Sequence, residues 1–140
     1  INITESGELR SWIRGAIYGD VLGISMYRVV WNKYLGYLTY PILPEFYKIK
    51  AFIIKTIFRP KNIIVAELQA EPWAPSSDLL KVPLDEQFKS MAIGPLRKNI
   101  SFARRAGFVE NYLWGAEWWY WMKEKNKDSS FWDEIKKLNR

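Results

Sequence analysis

Ile63-Ile64-Val65-Ala66-Glu67-Leu68-Gln69-Ala70-Glu71-Pro72-Trp73 is the stretch on which the fold turns. An apolar, β-branched run continues to Ala66 and then delivers a carboxylate. A short run of this kind reads as a strand buried on both faces, as in a parallel sheet. A buried strand does not normally carry Glu without a partner or a task. Pro72 has no N–H to give to a ladder and ends the strand. The stretch is predicted to be a core strand that presents an acid, Glu67, at its C-terminal end.

Upstream, Glu45 to Phe58 is predicted helical, with Phe46, Ile49, Ile53 and Ile57 on one face and Lys48, Lys50 and Lys55 outward. A helix on a membrane surface is one alternative for this segment. A helix packed on a sheet is preferred, because a buried strand follows so soon. Val29 to Pro44, rich in Tyr, Trp, Gly and Pro, reads as a long loop whose aromatics argue against disorder. Asp20 to Tyr27 is a second apolar strand. Before it, Leu9, Trp12, Ile13, Ala16 and Ile17 share a helical face that Gly19 stops. Ser6-Gly7-Glu8 reads as a turn, and residues 1–5 alternate like a strand.

Downstream, Trp73 to Val82 is a Pro-rich loop. A helix starts near Asp85 and is broken or kinked at Gly94-Pro95. Leu96, Ile100 and Ala103 continue its apolar face, and Gly107 caps it. Phe108 to Trp114 is a fourth strand, with Gly115 to Trp121 beyond its end. Ser129 or Ser130 caps a last helix carrying Phe131, Trp132, Ile135 and Leu138.

Strands alternating with helices imply parallel βαβ units. Four units in 140 residues match the spacing of a (β/α)8 barrel, whose eight units take about 250 residues. The predicted fold is therefore α/β, strands five to eight of a (β/α)8 TIM barrel, with residues 1–140 forming the C-terminal half of one catalytic domain. A small doubly wound sheet is the rival, but no glycine-rich phosphate loop follows any strand.

Composition narrows the chemistry. The chain has no Cys and no His. Disulfides, thiolate ligands, a Cys nucleophile and the commonest general base and metal ligand are all removed. No metal and no cofactor are expected. Acid–base work would fall to carboxylates, Lys or Tyr. The net charge is +6, but the basic residues are scattered, and no nucleic-acid partner is expected. Aromatic residues make up 16%, eight of them Trp. They supply either a large aromatic core or a surface that stacks flat ligands. No apolar run reaches the roughly 18 residues of a membrane span. The chain opens on Ile1 in what reads as mid-strand, which suggests a fragment. Any membrane association is expected to come only through sequence preceding it.

Barrel enzymes place their chemistry at the C-terminal strand ends. The four predicted ends supply Glu5 and Glu8; Ser25, Tyr27 and Arg28; Glu67, Gln69, Glu71 and Trp73; and Trp114, Glu117 and Trp118. Period two puts Val65, Glu67, Gln69 and Glu71 on one face, with Glu67 and Glu71 about 13 Å apart. That exceeds the spacing of glycosidase carboxylate pairs, about 5 Å or about 6.5–9.5 Å. Glu67 is a catalytic or ligand-binding acid, or else an ion-pair partner of Arg28. Tyr27 and Trp114 divide evenly between site and packing. Glu117 is a ligand for a sugar hydroxyl or a partner for a nearby cation. Some of Trp118, Trp119 and Trp121 must be core.

The strand ends resemble those of clan A glycoside hydrolases, the retaining (β/α)8 enzymes that include cellulase-like and β-galactosidase-like proteins. Ile64-Val65-Ala66-Glu67 resembles the end of their strand seven, Gly23-Ile24-Ser25-Met26-Tyr27 that of strand six, and Tyr112-Leu113-Trp114-Gly115 that of strand eight. The resemblance implies Glu67 as nucleophile and Tyr27 as the hydroxyl that orients it. It also implies a carbohydrate substrate contacted by Trp114, Trp118, Glu117, Glu71 and Trp73. The clan's acid/base Glu lies on strand four, which this sequence does not include, so the fragment alone is expected to be inactive. A non-catalytic carbohydrate-binding protein on the same scaffold is the alternative. A basic membrane-surface or nucleic-acid protein is a third.

Overall fold

The computed structural model describes residues 1–3 and 9–138. Strand β1 (Asn2–Ile3) leads to helix α1 (Leu9–Tyr18) and strand β2 (Val21–Met26). Strands β3 (Val29–Asn32) and β4 (Gly36–Thr39) precede helix α2 (Pro44–Phe58) and strand β5 (Asn62–Gln69). Helices α3 (Leu84–Gln87) and α4 (Ile93–Arg105), strand β6 (Asn111–Trp114), and helices α5 (Ala116–Lys125) and α6 (Ser130–Leu138) complete the chain. The expectations for Glu5, Ser6 and Glu8 lie outside the described residues.

Strands β1, β2, β5 and β6 form one parallel sheet in chain order. The order never reverses, so these strands have no switch point of the kind a doubly wound sheet requires. Helix α1 packs on α2, α2 on α4, and α4 on α6. One continuous apolar core joins this helical layer to Leu22, Ile24, Met26, Ile63, Val65 and Leu68 of the sheet. The result is a mixed α/β fold, a four-stranded parallel sheet with its helices on one face. The opposite face carries Asn2, Ser25, Tyr27 and Glu67, the first three each donating to the Glu67 carboxylate. On that face Tyr112 is 55% exposed and Trp114 49%.

The local sequence explains the close packing. Trp12 and Ala16 of α1 are buried one turn apart. Gly15 lies between them, where a Cβ would fall 2.5 Å from Leu22 Cδ1. A side chain at this position would have to displace the Leu22 methyl. Helix α4 buries Leu96, Ile100 and Ala103, and Asn99 Nδ2 donates to the Gln69 carbonyl at 3.0 Å. Gly107 follows α4 with φ +86°, a conformation glycine adopts without a Cβ penalty.

Several elements differ from expectation. Val29 to Pro44 is not a structureless loop: β3 and β4 pair as an antiparallel hairpin. Asn32 Oδ1 accepts from the Tyr34 N–H at 2.9 Å, and Gly36 has φ +71°. The helix break falls between Gln87 and Ile93, before Gly94-Pro95. Pro95 instead sits in the first turn of α4, where a missing N–H costs no helical bond. Residues 116–121 do lie beyond the end of a strand, and they open helix α5, which the sequence reading does not assign. Helix α2 is turned on its axis relative to the sequence reading. Tyr47, Lys50 and Ile54 face the core, while Ile49, Phe52 and Ile57 are 61%, 70% and 64% exposed. Lys50, expected outward, is buried with its ammonium 4.5 Å from the Trp12 ring centroid. A cation over an indole face is an attractive contact.

Candidate functional site

Strand β5 carries one more residue than either neighbour can pair. Ile24 pairs Val65, yet Ser25 pairs Glu67. On the other side Val65 pairs Asn111, and Leu68 pairs Leu113. Ala66 and Glu67 therefore fall between two residues, Val65 and Leu68, that both face the helices. This β-bulge re-aims everything after it. Uninterrupted period two would point Glu67 into the core beside Val65. The bulge turns it instead to the face that carries Ser25 and Tyr27. The expectation that Val65 and Glu67 share a face is corrected accordingly.

Glu67 is then held from adjacent β2, from β1 beyond it, and by the residue that follows β2. Asn2 Nδ2 of β1 donates to Oε1 at 2.9 Å. Ser25 Oγ of β2 donates to Oε2 at 3.0 Å, and Tyr27 Oη donates to the same oxygen at 3.2 Å. All three are neutral donors. The ion pair with Arg28 does not form: its guanidinium lies 4.3 Å from the Phe102 ring centroid. Burial pushes the Tyr27 phenol above its usual range, and the charge and hydrogen bond of Glu67 push it further. Tyr27 therefore stays a donor throughout the pH range in which proteins are handled.

A second acid lies beyond the end of β5. Glu71 Oε1 accepts from the Trp114 indole N–H at 3.0 Å. Trp73 stands edge-on to Tyr27 with ring centroids 5.2 Å apart. Tyr27, Glu71, Trp73 and Trp114 line a cleft of about 370 Å³, together with Ser76, Ser77 and Leu79. Burial raises the Glu71 carboxyl above its ordinary value, the Trp114 N–H opposes the rise, and the charge of Glu117 adds to it. A carboxyl raised in the folded state contributes stability below its unfolded pKa and loses it as pH rises through the folded one. Glu71→Gln keeps an acceptor for Trp114 and removes the titration. In urea melts the variant is expected to lose less stability than the parent between about pH 4 and pH 7. The difference should be under about 1 kcal/mol, since the side chain is only half-buried. Parallel pH profiles for the two proteins would rule out a burial cost on this charge.

The other expected site residues divide. Glu117 is exposed in the first turn of α5. Trp118 does not reach the cleft. It is 4% exposed, stacks edge-on against Phe131, and donates its indole N–H to Gln87 Oε1 at 2.6 Å. Gln87 Nε2 in turn donates to the carbonyls of Leu79 and Val82. Trp118 is thus a core residue that anchors the loop bordering the cleft. Trp119 is buried likewise and donates to the Ala70 carbonyl at 2.6 Å.

Sequence reading missed Asn2 as a partner of Glu67 and left Ser25 without a role. It placed Gln69 at the strand end but gave it no role; Gln69 is fully buried and tied to the backbone of Arg28 and Val29 through its amide. Those bonds fix the chain immediately after Tyr27. Among the described residues no cluster of His, Cys, Asp and Glu is arranged to hold a metal ion.

The fold and site together define an open parallel α/β sheet with a neutral-donor-bound carboxylate near the carboxyl end of a central strand. The chain matches no protein-family model, no curated protein and no solved structure.

Proposed function

We propose that the chain is the strand-five-to-eight half of a retaining glycoside hydrolase of the clan A type, with Glu67 as its nucleophile. The observation that carries the reading is the bulge that turns Glu67 onto the open face and into the grip of Tyr27, Ser25 and Asn2. The sheet supports it as well. Four parallel strands in chain order with helices on one face are what half of a (β/α)8 barrel would present. Both sheet edges border open grooves, about 270 Å³ beside Ile1 and Ile3 and about 370 Å³ beside Tyr112 and Leu113. Strands one to four would close against those edges.

In this mechanism Oε2, which accepts two of the bonds, is the anchored oxygen. Oε1, with one donor, keeps the freer lone pair. Oε1 attacks the anomeric carbon and the glycosidic C–O bond breaks. An acid from the preceding sequence protonates the departing oxygen. Water then cleaves the glycosyl ester and restores Glu67. Trp73 and Trp114 stack the sugar at the cleft, and Glu71 accepts from its hydroxyls.

A 2-fluoro glycoside trap on the protein carrying the preceding strands tests this. The expected adduct maps to the peptide containing Glu67. An adduct on any other peptide overturns the assignment. Sugar binding without hydrolysis is the second reading, favoured by the half-exposed rings of Trp73 and Trp114 beside Glu71. An Asn-Glu at the end of a fourth strand in the preceding sequence decides for the enzyme.

A further inference from the structure

Helix α2 carries a stripe that nothing among the described residues covers. Its inner side packs on the sheet through Tyr47 and Ile54, and α1 and α4 flank it. The outward side presents Phe46, Ile49, Phe52 and Ile57, all exposed, with Ile53 partly so. These positions recur every three or four residues, so they form one continuous apolar strip along the helix. Closing the barrel would leave the strip open. In that architecture each helix meets the sheet and its two neighbours, and α2 already has all three.

The strip is bordered by cations. Helix α2 contains three Lys against one Glu, and Lys48 and Lys55 are exposed, as are Arg59 and Lys61 just after its end. The whole chain carries +6. Large apolar side chains bordered by basic ones fit an anionic lipid surface: the apolar groups enter the acyl boundary and the cations meet the headgroups. A second copy fits less well, since it would bring like charges together around the strip. No helix among the described residues is long and apolar enough to cross a membrane.

We infer that the outward face of α2 docks this protein in-plane on an anionic membrane surface. Association then comes from α2 itself. The site at Glu67 is on the opposite face of the sheet, so the inference holds whatever chemistry Glu67 performs.

The test is cosedimentation of the full chain with phosphatidylglycerol-containing vesicles and with pure phosphatidylcholine vesicles. Binding to the anionic vesicles alone is expected, and it should weaken with added salt. Ile49→Ser combined with Phe52→Ser should lower the partition coefficient about tenfold or more. Lys48→Glu combined with Lys55→Glu should lower it by a similar factor. All four side chains are exposed, so far-UV circular dichroism should not change. Failure to bind anionic vesicles at low salt overturns the inference. So does binding that neither double variant weakens. Self-association that Ile49→Ser abolishes, in the absence of vesicle binding, overturns it in favour of a second copy.

Discussion

Glu67→Ala in the protein that includes the preceding strands is expected to reduce glycoside hydrolysis by about 10⁴-fold or more, the scale on which a lone nucleophile is lost. The variant should stay folded. Asn2 is exposed, but Ser25 is buried and Tyr27 half-buried, so losing their acceptor should cost about 1–3 kcal/mol. Azide can occupy the space the carboxylate leaves. It should restore turnover and give a glycosyl azide of the opposite anomeric configuration, because one displacement replaces two. Undiminished hydrolysis by Glu67→Ala would remove Glu67 from the mechanism. Hydrolysis lost without azide rescue, on a folded protein, would point instead to Glu67 as a binding group.

Gly115→Ala should be the most damaging single-methyl change near the cleft. Gly115 has φ +142°, a conformation that disfavours any side chain. A Cβ there would also lie 2.8 Å from the Ala70 carbonyl oxygen and 2.8 Å from Glu71 Cβ. Neither contact is with the far end of a flexible side chain. Ala70 N–H is bonded to the Trp114 carbonyl at 3.0 Å, so the strand cannot retreat without breaking the ladder. The expected cost is about 2–4 kcal/mol. For a domain of this size that lowers the melting temperature by roughly 10 °C. An unchanged melting temperature would mean that the turn relaxes at no cost. The same displacement should loosen Glu71 from Trp114, so ligand binding at the cleft should weaken even where the fold survives.

The parallel sheet and the placement of Glu67 near a strand end were legible because they rest on long apolar runs and strong breakers. The strand around Ile63 to Val65 and the face of Trp12 and Ala16 are of this kind. The bulge was not legible, because residues 63–66 are apolar at both parities and only burial shows the change of phase. The core residues are odd-numbered through Ile63 and Val65 and even-numbered from Leu68 to Ala70, so the switch falls across Ala66-Glu67. Period two ignores such a switch. Asn2 carried no signal at all, since only strand register brings it beside a residue 65 positions away. Trp118 could not be told from a stacking platform, because a Trp that bonds a buried Gln has the same sequence appearance as one that waits for a sugar. Helix α2 misled in the opposite sense. Its apolar strip is real, but the core took Tyr47, Lys50 and Ile54 instead, and a lysine with aromatic rings for company does not look buried in a sequence.

The bond between Asn2 and Glu67 ties the site to the border of the sheet. The Gly23 N–H donates to the Ile1 carbonyl at 2.7 Å on that same border. Border strands open more readily than central ones. An opening that peels β1 from β2 frees the Gly23 amide and parts Asn2 from Glu67 together. The exchange rate of one backbone proton would thus clock how often the carboxylate is released on that side.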